Sequence, residues 1–233
     1  GATMARLAFK PDSSFFRKIV VGAIGARAVC EDLAQYGHTF VELERGSTNC
    51  KLWKDVKRKR VRIPDLVCTR CGQRIECRAK TKAELAMSHS TTDSERAWDF
   101  GLVDNDCLAF PVSEPASAMD WSSGKLSGTS SYWHEKSWVD WQVKGHVNYF
   151  TVEAFRARMH ARSRTKGVEE ASENFISWDA TFSSRDGPVL AVDREQRRVK
   201  VALADGSRPY TWKIKEGNEI FVSEGDAVSE KQM

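Results

Sequence analysis

Two β-type segments joined by a short cysteine-containing turn limit how this chain can fold. Residues 60–68 and residues 73–80 each have the composition of a strand, and between them Cys-Thr-Arg-Cys-Gly occupies residues 68–72. The glycine suits a tight turn because it tolerates backbone angles that other residues avoid. The second segment alternates, which places one apolar set on one face: Ile75, Cys77 and Ala79. The pattern predicts a β-hairpin with one apolar and one charged face.

Two acidic residues, Asp65 and Glu76, come close together in this predicted hairpin. With the turn at residues 69–71 they lie within about one residue pair of each other, where Cβ atoms across a ladder are roughly 5 Å apart. Two carboxylates at that distance repel unless a cation lies between them, and Mg²⁺ prefers oxygen ligands. The alternation also places Arg78 and Lys80 on the face of Glu76. These residues predict a divalent-metal site beside a cationic surface.

A predicted helix precedes the hairpin in the sequence. Residues 22–36 carry apolar side chains at helical intervals, and Gly37 stands where a helix C-cap is expected. Residues 38–44 alternate and predict a strand. The order is therefore a helix that leads into a three-stranded meander.

The remainder of the chain predicts a mixture of elements. We expect a short helix at residues 95–102, strands at 107–112 and 147–152, and a basic helix at 155–164. From about residue 174 the pattern changes to short strands separated by acid–glycine turns. These turns fall at residues 186–187, 205–206, 216–217 and 224–225. Such spacing predicts a small β-barrel or sandwich.

The hairpin motif resembles that of a known nuclease superfamily. Arg-Ile-Pro-Asp-Leu-Val at residues 62–67, followed by Ile-Glu-Cys-Arg-Ala-Lys at residues 75–80, is similar to the PD-(D/E)xK signature of restriction endonucleases and Holliday-junction resolvases. The resemblance covers residues 22–112. It implies an α/β (α+β) fold with a restriction-endonuclease-like core, in which helices flank a mixed central sheet.

The resemblance also implies roles for individual residues. Asp65 and Glu76 would be ligands of Mg²⁺ or Mn²⁺, with the backbone carbonyl of Cys77 as a third ligand. The family lysine belongs two residues after the second acid, where this chain has Arg78, a residue that stays protonated. Either Lys80 supplies the lysine role from the next position on that face, or Arg78 acts only electrostatically.

Many members of the superfamily carry a further glutamate on the first helix. Glu31 is the candidate for that position. Glu42 and Glu44, on the first predicted strand, are its rivals.

Positive charge is concentrated around the hairpin. Residues 45–82 contain 13 Lys and Arg against three acids, whereas the whole chain has a net charge of only +4. A local basic excess of this kind is typical of a polyanion-binding surface. The predicted nucleic-acid contacts are Lys57, Arg58, Lys59, Arg60, Arg62, Lys82 and His89. A solvated charged face is the alternative.

The pair Cys68 and Cys71 has the spacing of half a zinc site. Tetrahedral zinc needs four ligands, and the candidates for the other two are Cys50, Cys77, Cys107 and His89. Cys77 is the least suited of these, because the alternation places it on the core face. Such a zinc would hold the hairpin rigid and take no part in the chemistry. Two unliganded thiols at a turn are the alternative interpretation.

Four regions follow from these patterns. They are an N-terminal arm at residues 1–18, a nuclease-like core at 19–112, a Trp-rich linker and core extension at 113–172, and a small all-β, barrel-like domain at 173–233. No apolar run approaches the roughly 18 residues of a membrane span, and there is no leader pattern. We therefore expect a cytoplasmic protein without disulfides and without a membrane partner.

The expected function is metal-dependent hydrolysis of DNA, with duplex DNA as the main partner. Restriction, phage defence, mobile-element processing and repair all fit that activity, and so does a homodimer or a subunit of a larger nuclease system. The alternative is a non-catalytic, zinc-stapled nucleic-acid-binding or adaptor module on the same fold. The sequence does not separate DNA from RNA.

Overall fold

A computed structural model describes residues 13–43, 63–115, 141–164, 173–203 and 205–233. Several predicted residues therefore lie outside the described residues: Glu44, Cys50, Lys57, Arg58, Lys59, Arg60 and Arg62. The described chain is a mixed α+β fold in which strands outnumber helices. Within these ranges, no helix has the length and apolar character required to span a membrane.

Helix α1, Ser13–Ala34, opens the fold and begins earlier than predicted. Its buried face carries Val21, Ala26 and Val29, which lie at helical spacing. Gly37 ends the helix with a φ of 80°, a conformation that glycine adopts without strain. The amide of Gly37 donates to the carbonyl of Ala34 at 2.9 Å, which satisfies one of the helix-terminal carbonyls.

A five-stranded mixed sheet forms the centre of the molecule. Its strands are β1 (Phe40–Glu42), β2 (Leu66–Cys68), β3 (Arg74–Cys77), β5 (Cys107–Phe110) and β8 (Asn148–Thr151), in that spatial order. β1, β2 and β3 form an antiparallel meander, β5 lies parallel to β3, and β8 closes the sheet antiparallel to β5. The described chain therefore contains the predicted mixed sheet, and the predicted helix and three-stranded meander precede its other strands.

The two faces of this sheet cover different cores. α1 packs on one face through a cluster that includes Ala26, Val29, Leu66, Ile75 and Ala109. The alternation of β5 sends Leu108 and Phe110 to the opposite face, where they meet a second cluster. Burial on both faces explains why β5 is apolar throughout.

A three-stranded antiparallel sheet covers that second face. It consists of β4 (Leu85–Ser88), β10 (Glu173–Trp178) and β9 (His160–Arg164), with β10 in the middle. Its apolar side chains join the second core cluster together with Trp98. β10 was predicted to begin the C-terminal region, but its hydrogen-bonded neighbours are β4 and β9.

Two predicted helices are shorter than expected. The segment expected at residues 95–102 contains a single 3₁₀ turn, Ser94–Arg96. The basic helix expected at 155–164 is instead helix α2, Val152–Arg156, followed by β9. Residues 160–164 are extended because β10 pairs with them, and this tertiary pairing outweighs their local helical preference.

The last part of the chain forms a small all-β unit, as predicted. β11 (Gly187–Asp193), β12 (Arg198–Val201), β13 (Tyr210–Lys213) and β14 (Ala227–Val228) make a curled half-barrel sheet in the order β13-β12-β11-β14. Its inner face buries Val189, Val199, Val201 and Val228. A two-stranded antiparallel sheet, β6 (Ser113–Pro115) with β7 (Trp141–Val143), lies against α1.

Candidate active site and metal centre

The β2–β3 hairpin brings Asp65 and Glu76 together. The ladder pairs Leu66 with Ile75, and one further step in the same register sets Asp65 opposite Glu76. Asp65 Oδ2 also accepts a hydrogen bond of 2.8 Å from the backbone amide of Cys77, the residue after Glu76. A backbone hydrogen bond of this kind holds the carboxylate in position at the start of β2.

Both carboxylates line one groove between α1 and the sheet. The groove is open and has a volume of about 1090 Å³. Glu42 of β1 and Arg78 border it as well, and α1 contributes the cations Lys18 and Arg27. Three acidic residues therefore line the groove on the side of the sheet, and α1 adds two cations to a mostly apolar lining. Such an arrangement suits a divalent ion together with a phosphate group.

Arg78 forms an ion pair with Glu76. Its Nη2 lies 2.8 Å from Glu76 Oε1, and the two side chains are only 29% and 15% exposed. The position two residues after Glu76 is thus occupied by a guanidinium that is ion-paired with Glu76 itself.

Lys80 and Lys82 turn towards a different acid. β3 ends at Cys77, and Lys80 forms a parallel bridge with Val112. The Nζ atoms of Lys80 and Lys82 lie 4.0 Å and 3.2 Å from the carboxylate of Glu84. Neither lysine borders the groove. Lys80 was predicted to share the face of Glu76, but it lies outside the groove that Glu76 lines.

The candidate acids on α1 and β1 occupy different places. Glu31 is 64% exposed, forms an ion pair of 2.8 Å with Arg27 one helical turn earlier, and does not border the groove. Glu42 does border it, close to the thiol of Cys30. Among the described candidates for the additional glutamate, Glu42 is therefore the one that lies beside Asp65 and Glu76.

Cys77 contributes a neutral thiol to the groove wall. Burial raises the pKa of this thiol well above its ordinary value, and the charges of Asp65 and Glu76 raise the pKa further. Its side chain is thus protonated at neutral pH and is a poor metal ligand. The predicted contribution of Cys77 through its backbone carbonyl stays a prediction.

A second cluster of donor atoms lies at the tip of the hairpin. Cys68 Sγ is 3.4 Å and Cys71 Sγ is 3.6 Å from Nδ1 of His38. The three donor atoms all lie within 4.8 Å of one another. Two thiols and an imidazole are typical zinc ligands, so this group can hold a metal ion such as zinc.

The Cys68 thiol is poised to ionise. Burial raises its pKa, but hydrogen bonds from the backbone of Cys71, from the side chain of His38 and from the backbones of Arg70 and Thr39 outweigh burial and lower the pKa to about 6. At neutral pH Cys68 is therefore mainly a thiolate, the form that binds metals.

Backbone contacts hold the hairpin tip against the end of α1. Gly72 has a φ of 74°, and its amide donates to the carbonyl of Cys68 at 2.9 Å, which closes the turn between the cysteines. The amide of Thr69 donates to the carbonyl of Thr39 at 2.8 Å. The guanidinium of Arg70 donates from Nη1 to the backbone carbonyl of Gly37. These contacts bring His38 to the thiols.

Two of the residues predicted as further zinc ligands, Cys107 and His89, are not part of the cluster at the hairpin tip. Cys107 lies within β5, where burial raises its pKa to about 11, and it is not part of the cluster. His89 follows β4, and its amide donates to Asn174 at the end of the neighbouring strand, away from the hairpin tip. His38 takes the place predicted for these residues. The missed signal is that β1 pairs with β2, which carries the residue after Gly37 to the hairpin tip.

Comparison with known proteins gives no match to this chain, whether by protein-family models, among curated proteins or among solved structures.

Proposed function

We propose that this protein is a metal-dependent DNA endonuclease of the PD-(D/E)xK type, with its centre in the groove beside α1. One observation carries the proposal. Asp65, just before β2, and Glu76 of β3 line the same groove, and the carboxylate of Asp65 accepts a hydrogen bond from the backbone amide of Cys77. The helix, the antiparallel meander and the parallel β3–β5 pair support a restriction-endonuclease-like core.

The donor set of the groove fits a hard divalent cation. Asp65 and Glu76 offer carboxylate oxygens, which Mg²⁺ and Mn²⁺ prefer. When bound, such an ion polarises a phosphodiester and lowers the pKa of a water molecule. The residues of the chain hold that ion, and Lys18, Arg27 and Arg78 provide positive charge along the groove for the phosphate backbone.

The partner proposed for this surface is duplex DNA. The basic excess of residues 45–82 lies in the same part of the chain as the carboxylates, and phosphate contacts of this kind bind without regard to sequence. One groove hydrolyses one strand at a time. Cutting both strands then requires a second copy of the chain or a partner subunit.

Cleavage of supercoiled plasmid with Mg²⁺ or Mn²⁺ tests the proposed activity. We expect Asp65→Ala and Glu76→Gln to lower the cleavage rate by more than about 100-fold, because each removes a ligand of the ion, while DNA binding is retained. Glu195→Ala is a matched control, since this acid is exposed in the turn between β11 and β12. Cleavage by Asp65→Ala at the wild-type rate would show that the centre lies elsewhere.

The second candidate function is a non-catalytic nucleic-acid-binding module. It is favoured by the ion pair between Arg78 and Glu76, since a guanidinium is a poor proton acceptor at the position of the family lysine. This alternative predicts that the wild-type protein cuts neither duplex nor single-stranded DNA with either metal. It would still bind DNA with an affinity that falls steeply with salt concentration.

We propose zinc as the ion of the His38, Cys68 and Cys71 cluster, with a structural role. Zinc there would tie the hairpin tip to the segment that follows α1, and so steady both walls of the groove. Cys50 stays the prediction for a fourth ligand.

Zinc content of the purified protein, measured by mass spectrometry of the elements, tests this assignment. We expect about one zinc per chain, and a loss of most of it in His38→Ala and in Cys68→Ser. Cys107→Ser is the control, because this thiol lies in β5 outside the cluster. Equal zinc content in His38→Ala and the wild type would contradict the role of His38.

A further inference from the structure

The ion pair between Arg78 and Glu76 places a positive charge where the proposed metal ion has to bind. Arg78 Nη2 lies 2.8 Å from Glu76 Oε1, and both side chains are largely withdrawn from solvent. A divalent cation held by Glu76 at the same time would lie within a few ångströms of the guanidinium. Like charges at that separation repel strongly in a partly buried groove.

The guanidinium has donors that this ion pair does not use. Nε of Arg78 is buried and has no hydrogen-bond partner among the described residues. A buried polar group without a partner is unfavourable, and an oxygen-rich anion relieves the deficit. Phosphate is the anion that suits it, because the planar guanidinium forms paired hydrogen bonds with phosphate oxygens.

The backbone of Arg78 is hydrogen-bonded to the sheet, and its side chain borders the groove. The amide of Arg78 donates to the carbonyl of Ala109 at 2.7 Å, which anchors the residue to β5. The side chain borders the groove next to Asp65 and Glu76. Glu76 and the groove in which a phosphate would lie are therefore both next to this one side chain.

We propose that Arg78 is a phosphate-binding residue that couples metal binding to substrate binding. Without DNA, Arg78 neutralises Glu76 and competes with the divalent ion. A phosphodiester in the groove draws the guanidinium away, so that Arg78 no longer competes with the ion for Glu76 and each ligand strengthens the binding of the other. This inference rests on the proposed nuclease function, since it assigns the metal to Glu76.

Calorimetric titration with Mn²⁺ tests the coupling without any measurement of cleavage. The wild type is titrated alone and with a phosphorothioate duplex that resists hydrolysis. Mn²⁺ favours carboxylates over thiolates, so the cysteine cluster contributes little to the titration. Three variants are compared with the wild type: Arg78→Gln, which removes the charge, Arg78→Lys, which keeps it, and Glu76→Gln.

We expect the duplex to strengthen Mn²⁺ binding by about tenfold in the wild type, within the usual range of coupling between two sites. Arg78→Gln should bind Mn²⁺ about tenfold more tightly than the wild type without DNA, and the duplex should add little. Without DNA, Arg78→Lys should bind Mn²⁺ as weakly as the wild type, because it keeps the positive charge beside Glu76, and this separates the effect of charge from a change in folding. The duplex should strengthen its Mn²⁺ binding less than in the wild type, because an ammonium group does not form the paired hydrogen bonds of a guanidinium with phosphate.

Two results separate the failure of the coupling from the failure of the proposed function. If Arg78→Gln binds Mn²⁺ no more tightly than the wild type while Glu76→Gln binds it more weakly, the coupling is wrong and the metal site stands. If Glu76→Gln leaves Mn²⁺ affinity unchanged, Glu76 does not hold the ion, and both the coupling and the assigned centre are overturned.

Discussion

At the scale of single residues, proton affinity distinguishes the cysteines of this protein. Burial raises the pKa values of Cys77 and Cys107, whereas hydrogen bonds to the sulfur of Cys68 lower its pKa to about 6 despite burial. A thiolate binds metals and a thiol does not. The same residue type is therefore suited to a metal site at the hairpin tip and to the interior elsewhere.

The lowered pKa of Cys68 predicts how zinc affinity depends on pH. Above pH 6 the sulfur is mainly ionised, and below pH 6 a proton competes with zinc. Zinc affinity should therefore fall as the pH is lowered below 6, by up to about tenfold per pH unit for this one group.

Competition with a chromophoric chelator between pH 5 and pH 7.5 measures this dependence. In Cys68→Ser the remaining affinity should be weaker and should depend less on pH. An affinity that is constant between pH 5 and pH 7 would exclude Cys68 as a ligand.

At the scale of elements, the close approach of α1 to the sheet gives the groove its shape. Gly25 is the point of contact: a Cβ atom there would lie 2.5 Å from Cβ of Ala79 and 3.0 Å from Cγ of Pro111. Gly22, one turn earlier, borders the groove and would have no atom within 4 Å of an added Cβ. The two glycines therefore have different roles on the same helix.

Alanine at these two positions is expected to act in opposite directions. Gly25→Ala should lower the free energy of unfolding by about 1–3 kcal/mol, because α1 has to shift away from Ala79 and Pro111, which follow β3 and β5. Gly22→Ala should raise it by up to about 1 kcal/mol through helix propensity alone.

Urea denaturation of both variants beside the wild type gives the comparison. Loss of stability in both variants to the same extent would show that α1 does not pack through Gly25.

At the scale of the whole molecule, the last residues of the chain return to the central sheet. Asn148 of β8 is 5% exposed. Its Nδ2 donates to the carbonyl of Lys231 at 2.8 Å, and its Oδ1 accepts from the amide of Met233 at 2.9 Å. Lys231 in turn reaches Glu114 of β6. The segment after the half-barrel sheet thus joins β6 and β8 in one hydrogen-bonded arrangement.

Replacement of Asn148 should loosen this segment. Asn148→Ala removes the side-chain partner of the carbonyl of buried Lys231 and of the amide of half-buried Met233, so we expect a loss of about 1–3 kcal/mol in the free energy of unfolding. Amide hydrogen exchange, measured by mass spectrometry, should be faster in Asn148→Ala than in the wild type, and the increase should be largest at residues 229–233. Gln142→Ala, at an exposed position of β7, is the control. Unchanged exchange at residues 229–233 in Asn148→Ala would show that these hydrogen bonds do not hold the segment.

The amino-acid sequence alone determined the local elements around the hairpin. Alternation and the glycines at 37 and 72 predicted α1, β1, β2 and β3 in order, together with the turn between the two cysteines. The spacing of the motif was also sufficient to pair Asp65 with Glu76, because register in a hairpin follows from the position of its turn. These are short-range properties, set by periodicity and by backbone preference.

Only the tertiary structure decided which distant residues join them. His38 reaches the thiols because β1 pairs with β2, and Glu42 reaches the groove by the same pairing. Lys80 lies outside the groove, although its bridge to Val112 continues the parallel register of β3 with β5. Residues 160–164 became a strand through pairing with β10. Pairing between segments tens of residues apart depends on packing and register across the whole sheet, which local periodicity does not encode.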